Sequence, residues 1–469
     1  MSMVIEIPEE FKKLGEAVRG VVATVIEQTK AAPRGKAVDY ALFEDRLAEA
    51  CAQVECAGHD AALGALDIDQ PCVLVEGVKY VRAGRAEATY YTLAGPTERE
   101  RTLYRGPDGK VVDAISLRAG VVAGGWLPKT AQAMAHELQK GTAREAESTA
   151  RELKRLPYSR TAFDNVAHLV GEHYVARHED VEEALIEEFI VPAQAASLTA
   201  SVDRVSVPMS EPRARPRGRP RKGAPKNPIE RVFRMAYCGT LSVCDAAGEV
   251  LHTIRYGRMP AGDAQNLCEG MAADAQRLLA QRPDLAVQLL CDGAPEMWNL
   301  LEAEFTETVL GKKPHENVDF HHLLEKLGNA AKVSHPQNAS ATTDRWQLRL
   351  LNHSEASQGI LEELLASGRE FVRVGDETPV HDAITYLQNH SHRMDFAEAR
   401  RLGLPIGSGP VEASCKSLFN IRLDRSGSRW KEETGEHIVQ LRAVALSDRW
   451  GPAISKTLAP LRKAVRLAA

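Results

Sequence analysis

The chain has 469 residues, of which 44% are hydrophobic and 26% are charged, and its formal net charge is −5. These values are ordinary for a globular protein and exclude a wholly disordered, collagen-like or uniformly basic chain. No run of eighteen apolar residues, about the length that a membrane helix needs, occurs in the sequence. We therefore expect a protein that does not cross a membrane.

The eight cysteines are scattered and include no Cys-x-x-Cys pair. The N-terminus also lacks the layout of a secretion signal, so a reducing cytoplasm is the expected location. Four residues near the start could form a zinc site or could be packed side chains of a helical segment. We favour packing, because the spacing matches no known zinc pattern. The four residues are Cys51, Cys56, His59 and Cys72.

Residues 1–128 are predicted to form a helical and small β region. Apolar residues at helical spacing predict helices over residues 8–66. Short strands follow at 73–81, 88–94 and 97–104, with Gly-containing turns such as 82–84 between them.

Residues 129–199 are predicted to be helical again. Two helices joined at 157–159 resemble a helix-turn-helix, with Ser159 as the N-cap of the second helix. A plain helical hairpin is the alternative. At the other end of the chain, residues 451–469 are predicted to be a C-terminal tail.

Residues 200–230 are predicted to be a linker, because proline, arginine and small polar residues dominate and the apolar spacing disappears. Its Pro-Arg-Gly-Arg-Pro core resembles an AT-hook. An extended Arg-Gly-Arg segment fits the narrow minor groove of A·T-rich DNA, whereas a solvated basic spacer is the alternative. The residues expected to contact DNA are Arg215, Arg217, Gly218, Arg219, Arg221 and Lys222.

Residues 231–450 alternate strands and helices, which predicts an α+β domain with a mixed sheet covered by helices. A β-hairpin is predicted over 232–256, followed by a helix and a short, continuously apolar strand at 285–291. Helices are predicted to fill most of 321–403.

Asp292 ends the apolar strand, in the segment CDGAP. A carboxylate at the end of a buried strand needs a partner, commonly a metal ion. A turn-forming Asp-Gly pair without chemistry is the alternative.

Glu412 falls in the first turn of a predicted helix, because Pro410 suits the first helical position. Two glycines before it favour close packing or close approach of a ligand, whereas a surface acid that stabilises the helix dipole is the alternative. Lys416 follows one turn later, and a basic cluster comes after it that either binds phosphates or is merely solvated. The cluster contains Arg422, Arg425, Arg429 and Lys431.

Residues 231–450 resemble the catalytic domain of insertion-sequence transposases of the ISKra type. The segments that carry the resemblance are CDGAPEMWNL (291–300), VDFHHLLEKLG (318–328) and GLPIGSGPVEASCKSLFNIRLDRSGSRW (403–430). The resemblance implies an RNase H-like fold with a helical insertion at about 325–403. Asp319 and His322 match an acid-two-residues-histidine motif, and with Lys416 they are expected to lie near the site.

The resemblance assigns Asp292 and Glu412 as two of three catalytic and metal-binding acids. The family's first aspartate stands in an Asp-Gly-Thr segment, where this chain has Cys238-Gly239-Thr240. The nearest acid is Asp245, at the end of the hairpin. Two alternatives stay open: Asp245 completes the triad, which we prefer, or the first acid is missing.

Three acids suit a reaction in which two Mg²⁺ ions, or Mn²⁺, activate a nucleophile and stabilise the leaving oxygen of a phosphodiester. The resemblance implies a DNA transposase that cleaves element ends and joins them to target DNA, as a homo-oligomer on double-stranded DNA in the nucleoid. The alternatives are a catalytically inactive, transposase-derived DNA-binding protein and an RNase H-fold nuclease that does not transpose.

Overall fold

The structure is a computed structural model. It describes residues 6–31, 37–212, 229–262 and 264–467. The chain divides into two compact units, which are residues 1–178 with 451–469, and residues 179–450. Within the described ranges, no helix combines the length and the apolar character that crossing a membrane requires.

The first unit starts with two long helices, followed by strands and four further helices. In chain order these are α1 (Lys12–Ala31), α2 (Tyr40–Gly64), β1 (Cys72–Val75), β2 (Val78–Tyr91), β3 (Pro96–Arg105), β4 (Val111–Asp113), α3 (Ala114–Ala119), α4 (Pro128–Lys140), α5 (Ala143–Glu152) and α6 (Arg160–Val175). The predicted turn at 82–84 is a β-bulge inside one long strand, because β2 keeps pairing with β3 on both sides of it. Ser159 caps α6 as predicted, accepting a hydrogen bond from Ala162 N.

The second unit is built on one mixed sheet with many helices. In chain order its elements are α7 (His178–Glu188), β5 (Ala195–Pro212), β6 (Ile229–Asp245), β7 (Val250–Arg258), α8 (Ala264–Gln281), β8 (Ala286–Cys291), α9 (Pro295–Glu304), α10 (Glu307–Leu310), β9 (His315–Val318), α11 (Phe320–Ser334), α12 (Ala339–Asn352), α13 (Ala356–Ala366), α14 (Pro379–His390), α15 (Phe396–Arg401), α16 (Gly409–Cys415), α17 (Ile421–Leu423) and α18 (Glu432–Leu446).

The chain ends with α19 (Trp450–Leu458) and β10 (Val465–Leu467). β10 pairs antiparallel with β1, where Val73 faces Leu467. The predicted C-terminal tail is therefore wrong over this range, since its last strand belongs to the first sheet. That sheet has the order β10-β1-β2-β3-β4.

The sheet of the second unit has the order β7-β6-β5-β8-β9. β5, β6 and β7 are antiparallel neighbours, whereas β8 runs parallel to β5 and β9 parallel to β8. Its strands and the helices packed on them share one large core, in which Leu198, Leu241 and Leu289 are buried. Three antiparallel strands continued by two parallel ones, covered by helices, form an RNase H-like α+β fold, which confirms the predicted fold class.

β5 lies where the sequence predicted the start of the linker. It pairs with β6 without interruption from Ser197 opposite Cys244 to Pro212 opposite Ile229. The predicted start of the linker at residue 200 was wrong. Polar residues interrupt the apolar pattern of this segment, but hydrogen bonding to almost the whole of β6 makes it a strand as far as Pro212. The AT-hook-like residues lie between 213 and 228, outside the described residues.

Candidate metal centre on the central strands

Asp203 and Asp292 stand level with each other on neighbouring parallel strands. The register of β5 with β8 pairs Ser197 with Ala286 and Ala200 with Leu289. Continuing that register by three residues brings Asp203 opposite Asp292, on strands about 4.8 Å apart. The Cys291 thiol donates to Val202 O at 3.2 Å, so β5 and β8 are still in contact one residue before the two aspartates.

Asp292 is held by the turn that follows β8. Its Oδ1 accepts a hydrogen bond from Ala294 N at 2.9 Å, and its carbonyl oxygen accepts one from Trp298 Nε1 at 2.7 Å. Pro295 begins α9 directly after this turn. These two hydrogen bonds hold both the side chain and the backbone of Asp292 at the end of β8.

α16 carries Glu412, whose charge acts on Asp203. The helix begins at Gly409 with Pro410 in its first turn, as predicted, and Glu412 lies in that turn with its side chain 49% exposed. One turn later the Cys415 thiol donates to Asp203 Oδ2 at 3.5 Å. Residues three apart lie on the same face of a helix, so the contact of Cys415 turns the face that carries Glu412 towards Asp203.

The other two acids affect the pKa of Asp203. Burial raises the pKa of the Asp203 carboxyl, and the negative charges of Asp292 and Glu412 raise it further. Like charges raise a carboxyl pKa when no cation compensates them. A cation bound by these carboxylates would relieve the repulsion, and carboxylates are the ligands that Mg²⁺ prefers. Among the described residues, however, Glu412 has its ligand atom within 4.8 Å of those of Asp319 and His322 and is not grouped in this way with Asp203 or Asp292.

A second group of side chains adjoins Glu412. One ligand atom each from Asp319, His322 and Glu412 lies within 4.8 Å of the others. His322 Nε2 is 3.7 Å from Glu412 Oε1. The Ser408 hydroxyl lies 2.8 Å from Asp319 Oδ2 and 3.0 Å from Glu412 Oε1, so this hydroxyl links the two carboxylates.

Asp319 is buried and is the fixed member of this group. Burial by itself would raise the pKa of its carboxyl, but hydrogen bonds from Ser408 N and His322 N outweigh burial and hold the pKa below the usual range. Asp319 therefore stays ionised, caps α11 through His322 N, and anchors the loop before α16. The predicted auxiliary residues Asp319 and His322 do adjoin Glu412.

Asp245 lies at the other end of the sheet. It pairs with Ala195, eight residues before Asp203 on β5, which is about 26 Å away along an extended strand. Its carboxylate accepts hydrogen bonds from Ala247 N and Glu249 N and so shapes the hairpin turn. The assignment of Asp245 as the first acid does not fit this geometry.

Cys238 was the other alternative for the first position. It lies on β6 directly opposite Asp203 and is completely buried. The first strand of the sheet is β5, not β6, so the segment compared with the family's Asp-Gly-Thr belongs to the second strand. Asp203, directly opposite Cys238, is an acid on the central strand that the sequence analysis did not consider.

The basic residues after Glu412 have different environments. Lys416 and Arg429 are exposed, and Arg425 is half-buried, with Nε donating to Ile421 O at 3.2 Å. Arg422 is buried, and its guanidinium lies 4.8 Å from the ring centroid of Trp430. Arg422 was predicted to contact phosphates, but its buried stacking on Trp430 makes it part of the packing of this segment.

Sequence reasoning missed Asp203, although a signal existed. In the segment Leu198–Val202, the apolar residues Leu198, Ala200 and Val202 alternate with a threonine and a serine, which is the period-two pattern of a strand, and the whole segment is buried. Serine, threonine and arginine between the apolar residues, followed by the proline- and arginine-rich stretch, obscured it.

Comparisons with known proteins give little. No protein-family model and no curated protein matches the chain. One solved structure, titled "Mos1 transposase paired-end complex with left transposon end", is 13% identical, covers 58% of this chain and 76% of that chain, and has a TM-score of 0.16. A Mos1 mariner paired-end complex with Mn is 15% identical, with coverages of 56% and 77% and the same TM-score. These similarities are too weak to support a function.

Proposed function

We propose that this chain is a metal-dependent DNA transposase whose catalytic acids are Asp203, Asp292 and Glu412. The observation that carries the proposal is the level placement of Asp203 and Asp292 on the central strands of an RNase H-like sheet, with the charge of Glu412 acting on the same carboxyl. The ISKra-type segments around Asp292 and Glu412 add the substrate class.

Two Mg²⁺ ions, with Mn²⁺ as a substitute, would supply activation of the nucleophile and stabilisation of the leaving oxygen. The chain's own part is to hold them. Asp203 and Asp292 are the rigid ligands, because each is fixed by hydrogen bonds to neighbouring groups. Glu412 is the more exposed ligand, and Ser408 and His322 orient its carboxylate.

The DNA contacts in this proposal come from outside the acidic group. Lys416 and Arg429 are exposed near Glu412 in sequence, and the AT-hook-like segment joins β5 to β6. Basic side chains of this kind neutralise phosphates and orient a duplex. We propose double-stranded DNA as the partner, both at element ends and at the target, and at least a homodimer on DNA in the nucleoid.

An RNase H-fold nuclease would use the same three acids, so only the products distinguish it. The inactive-derivative alternative depended on Cys238 in place of the first acid. In the proposed site Asp203 takes the place of that acid, which favours an active enzyme over the inactive derivative.

The test uses purified full-length protein, Mg²⁺ and a plasmid that carries its gene with the flanking DNA. We expect cleavage at the boundaries of the element and joining of the freed ends to a second, labelled plasmid. Asp292→Asn and Glu412→Gln are expected to abolish both products. Cleavage without joined products would favour the nuclease, and activity in either variant would contradict the site.

A further inference from the structure

The hydroxyl of Tyr386 is buried beside the turn that carries Asp292 and has no hydrogen-bond partner among the described residues. Tyr386 lies on α14, in the helical insertion, and only 8% of its surface is exposed. Buried hydroxyls in folded proteins nearly always have a partner. Among the described residues, the Tyr386 hydroxyl is therefore a donor that no protein group uses.

The ring of Tyr386 is fixed against Gly293. A Cβ atom added to Gly293 would lie 2.9 Å from Cζ of Tyr386, the ring atom that bears the hydroxyl, and closer still to Cε2. Lys326 Nζ lies 5.2 Å from the ring centroid, and the ring of His390 lies 4.9 Å away on the same helix. The hydroxyl thus has a defined position next to the residue after Asp292.

A pocket opens at this point, and its lining includes Asp292, His322 and Tyr386. The lining also contains the donors Lys326 and Asn329 and the acids Glu325, Glu377 and Asp382, of which Lys326 and the three acids are exposed. Tyr386 and Asp292 therefore line the same pocket. Burial raises the pKa of Tyr386, and the charges of Asp292 and Asp319 raise it further, so the hydroxyl keeps its proton.

We propose that Tyr386 is a positioning residue for the reacting phosphate, and that its hydroxyl donates a hydrogen bond to a phosphate oxygen of DNA seated against Asp292. This inference depends on the proposed function for the identity of the substrate. In this proposal the helical insertion, through Tyr386 on α14, contacts the substrate directly. An oriented donor stabilises an anionic oxygen more strongly than water does, because the donor need not reorient when the anion arrives.

Tyr386→Phe removes only the hydroxyl, so it separates this role from packing. Because the hydroxyl has no partner among the described residues, we expect the melting temperature of the apo protein to stay unchanged. Tyr256→Phe is the matched control. Tyr256 is also buried in this unit, but its hydroxyl donates to Asp274 Oδ2 at 2.8 Å, so its loss should lower the melting temperature and leave the pocket intact.

Two measurements follow on both variants. The first is the rate of Mn²⁺-dependent cleavage of the plasmid described above, which should fall roughly 10- to 100-fold in Tyr386→Phe, the usual effect of losing one supporting hydrogen bond at a metal site. The second is titration calorimetry of inorganic phosphate in the presence of Mn²⁺, in which Tyr386→Phe should bind phosphate about tenfold more weakly. Its affinity for Mn²⁺ alone should not change.

The outcomes are distinct. Weaker phosphate binding by Tyr386→Phe in a protein that shows no cleavage would support the pocket and contradict the transposase. Unchanged phosphate affinity, no phosphate binding by the wild type, or an adventitious effect shared with Tyr256→Phe would overturn the inference. If Tyr386→Phe bound Mn²⁺ alone more weakly, the hydroxyl would instead contact water bound to the ion. If Tyr386→Phe had a lower melting temperature, the hydroxyl would instead stabilise the fold. Either result would also overturn the inference.

Discussion

Asp203 on β5 and Asp292, the residue directly after β8, are 89 positions apart in the sequence, which is the same offset with which the two strands pair from Ser197–Ala286 to Ala200–Leu289. The pairing fixes their spacing before any ligand binds. Each carboxylate also has its own local anchor, Cys415 for Asp203 and Ala294 N for Asp292. The sheet therefore supplies a rigid pair of acids, to which Glu412 is added by a helix.

Replacing Asp203 and Asp245 in turn tests which of the two is the first catalytic acid. Asp203→Asn should lower Mn²⁺-dependent DNA cleavage by at least about 100-fold, because a metal ligand is lost at the centre of the sheet. Asp245→Asn should cleave at nearly the wild-type rate, since Asp245 only shapes the hairpin turn. Its stability should drop by about 1 kcal/mol, because an amide oxygen is a weaker acceptor than a carboxylate.

The measurement is the cleavage rate of both purified variants side by side, with circular dichroism to confirm that each is folded. The reverse result, an active Asp203→Asn and an inactive Asp245→Asn, would show that our placement of the first acid is mistaken.

Gly293 should tolerate no side chain. Gly293→Ala would press its methyl group into the Tyr386 ring and should destabilise the protein by about 1–3 kcal/mol, the usual result of overpacking. Gly270→Ala is the control, because Gly270 is exposed within α8 and a Cβ there meets nothing within 4 Å. It should stabilise by about 0.5–1 kcal/mol.

Urea denaturation of the two glycine variants gives both values. A Gly293→Ala protein as stable as the wild type would mean that Tyr386 moves freely, and the fixed position of its hydroxyl would then be untenable.

Asp274 should make the stability of the second unit depend on pH. Burial and, to a smaller extent, the charge of Glu182 raise the pKa of Asp274 to about 7, although the hydrogen bond from Tyr256 opposes the rise. The unfolded value is near 4. The folded state therefore holds the proton more tightly, so the stability contributed by this group is complete below about pH 4 and is lost as the pH rises through about 7.

Asp274→Asn tests this sign. Between pH 5 and 7 the wild type should lose up to about 1.4 kcal/mol per pH unit relative to the variant, and the difference should level off above that range. Denaturation curves of both proteins across this range provide the comparison. A constant difference between them would show that Asp274 ionises at an ordinary pH.

Arg217 and Arg219 belong to the AT-hook-like segment outside the described residues. Replacing both with alanine should weaken binding to A·T-rich duplexes more than to G·C-rich ones, because an AT-hook responds to the narrow minor groove. Fluorescence anisotropy with two duplexes of equal length measures this at a fixed salt concentration. Equal losses on both duplexes would indicate a general electrostatic tether instead.

The sequence by itself determined the features that local patterns encode. A continuous apolar strand predicted β8 and the position of Asp292 at its end, and glycines with Pro410 predicted the start of α16 and the place of Glu412 in its first turn. The cap of α6 by Ser159 also follows from sequence alone. Each of these depends on neighbouring residues, whose preferences act within one turn or one strand.

The tertiary structure alone decided which acid joins Asp292. Asp203 lies in a stretch whose polar residues hide its strand, and only pairing with β6 and β8 shows that β5 is the centre of the sheet. Tyr386 likewise reaches the site from a helix 94 positions beyond Asp292. Strand register and helix packing arise from contacts between distant segments, and a single sequence carries no local signal for such contacts.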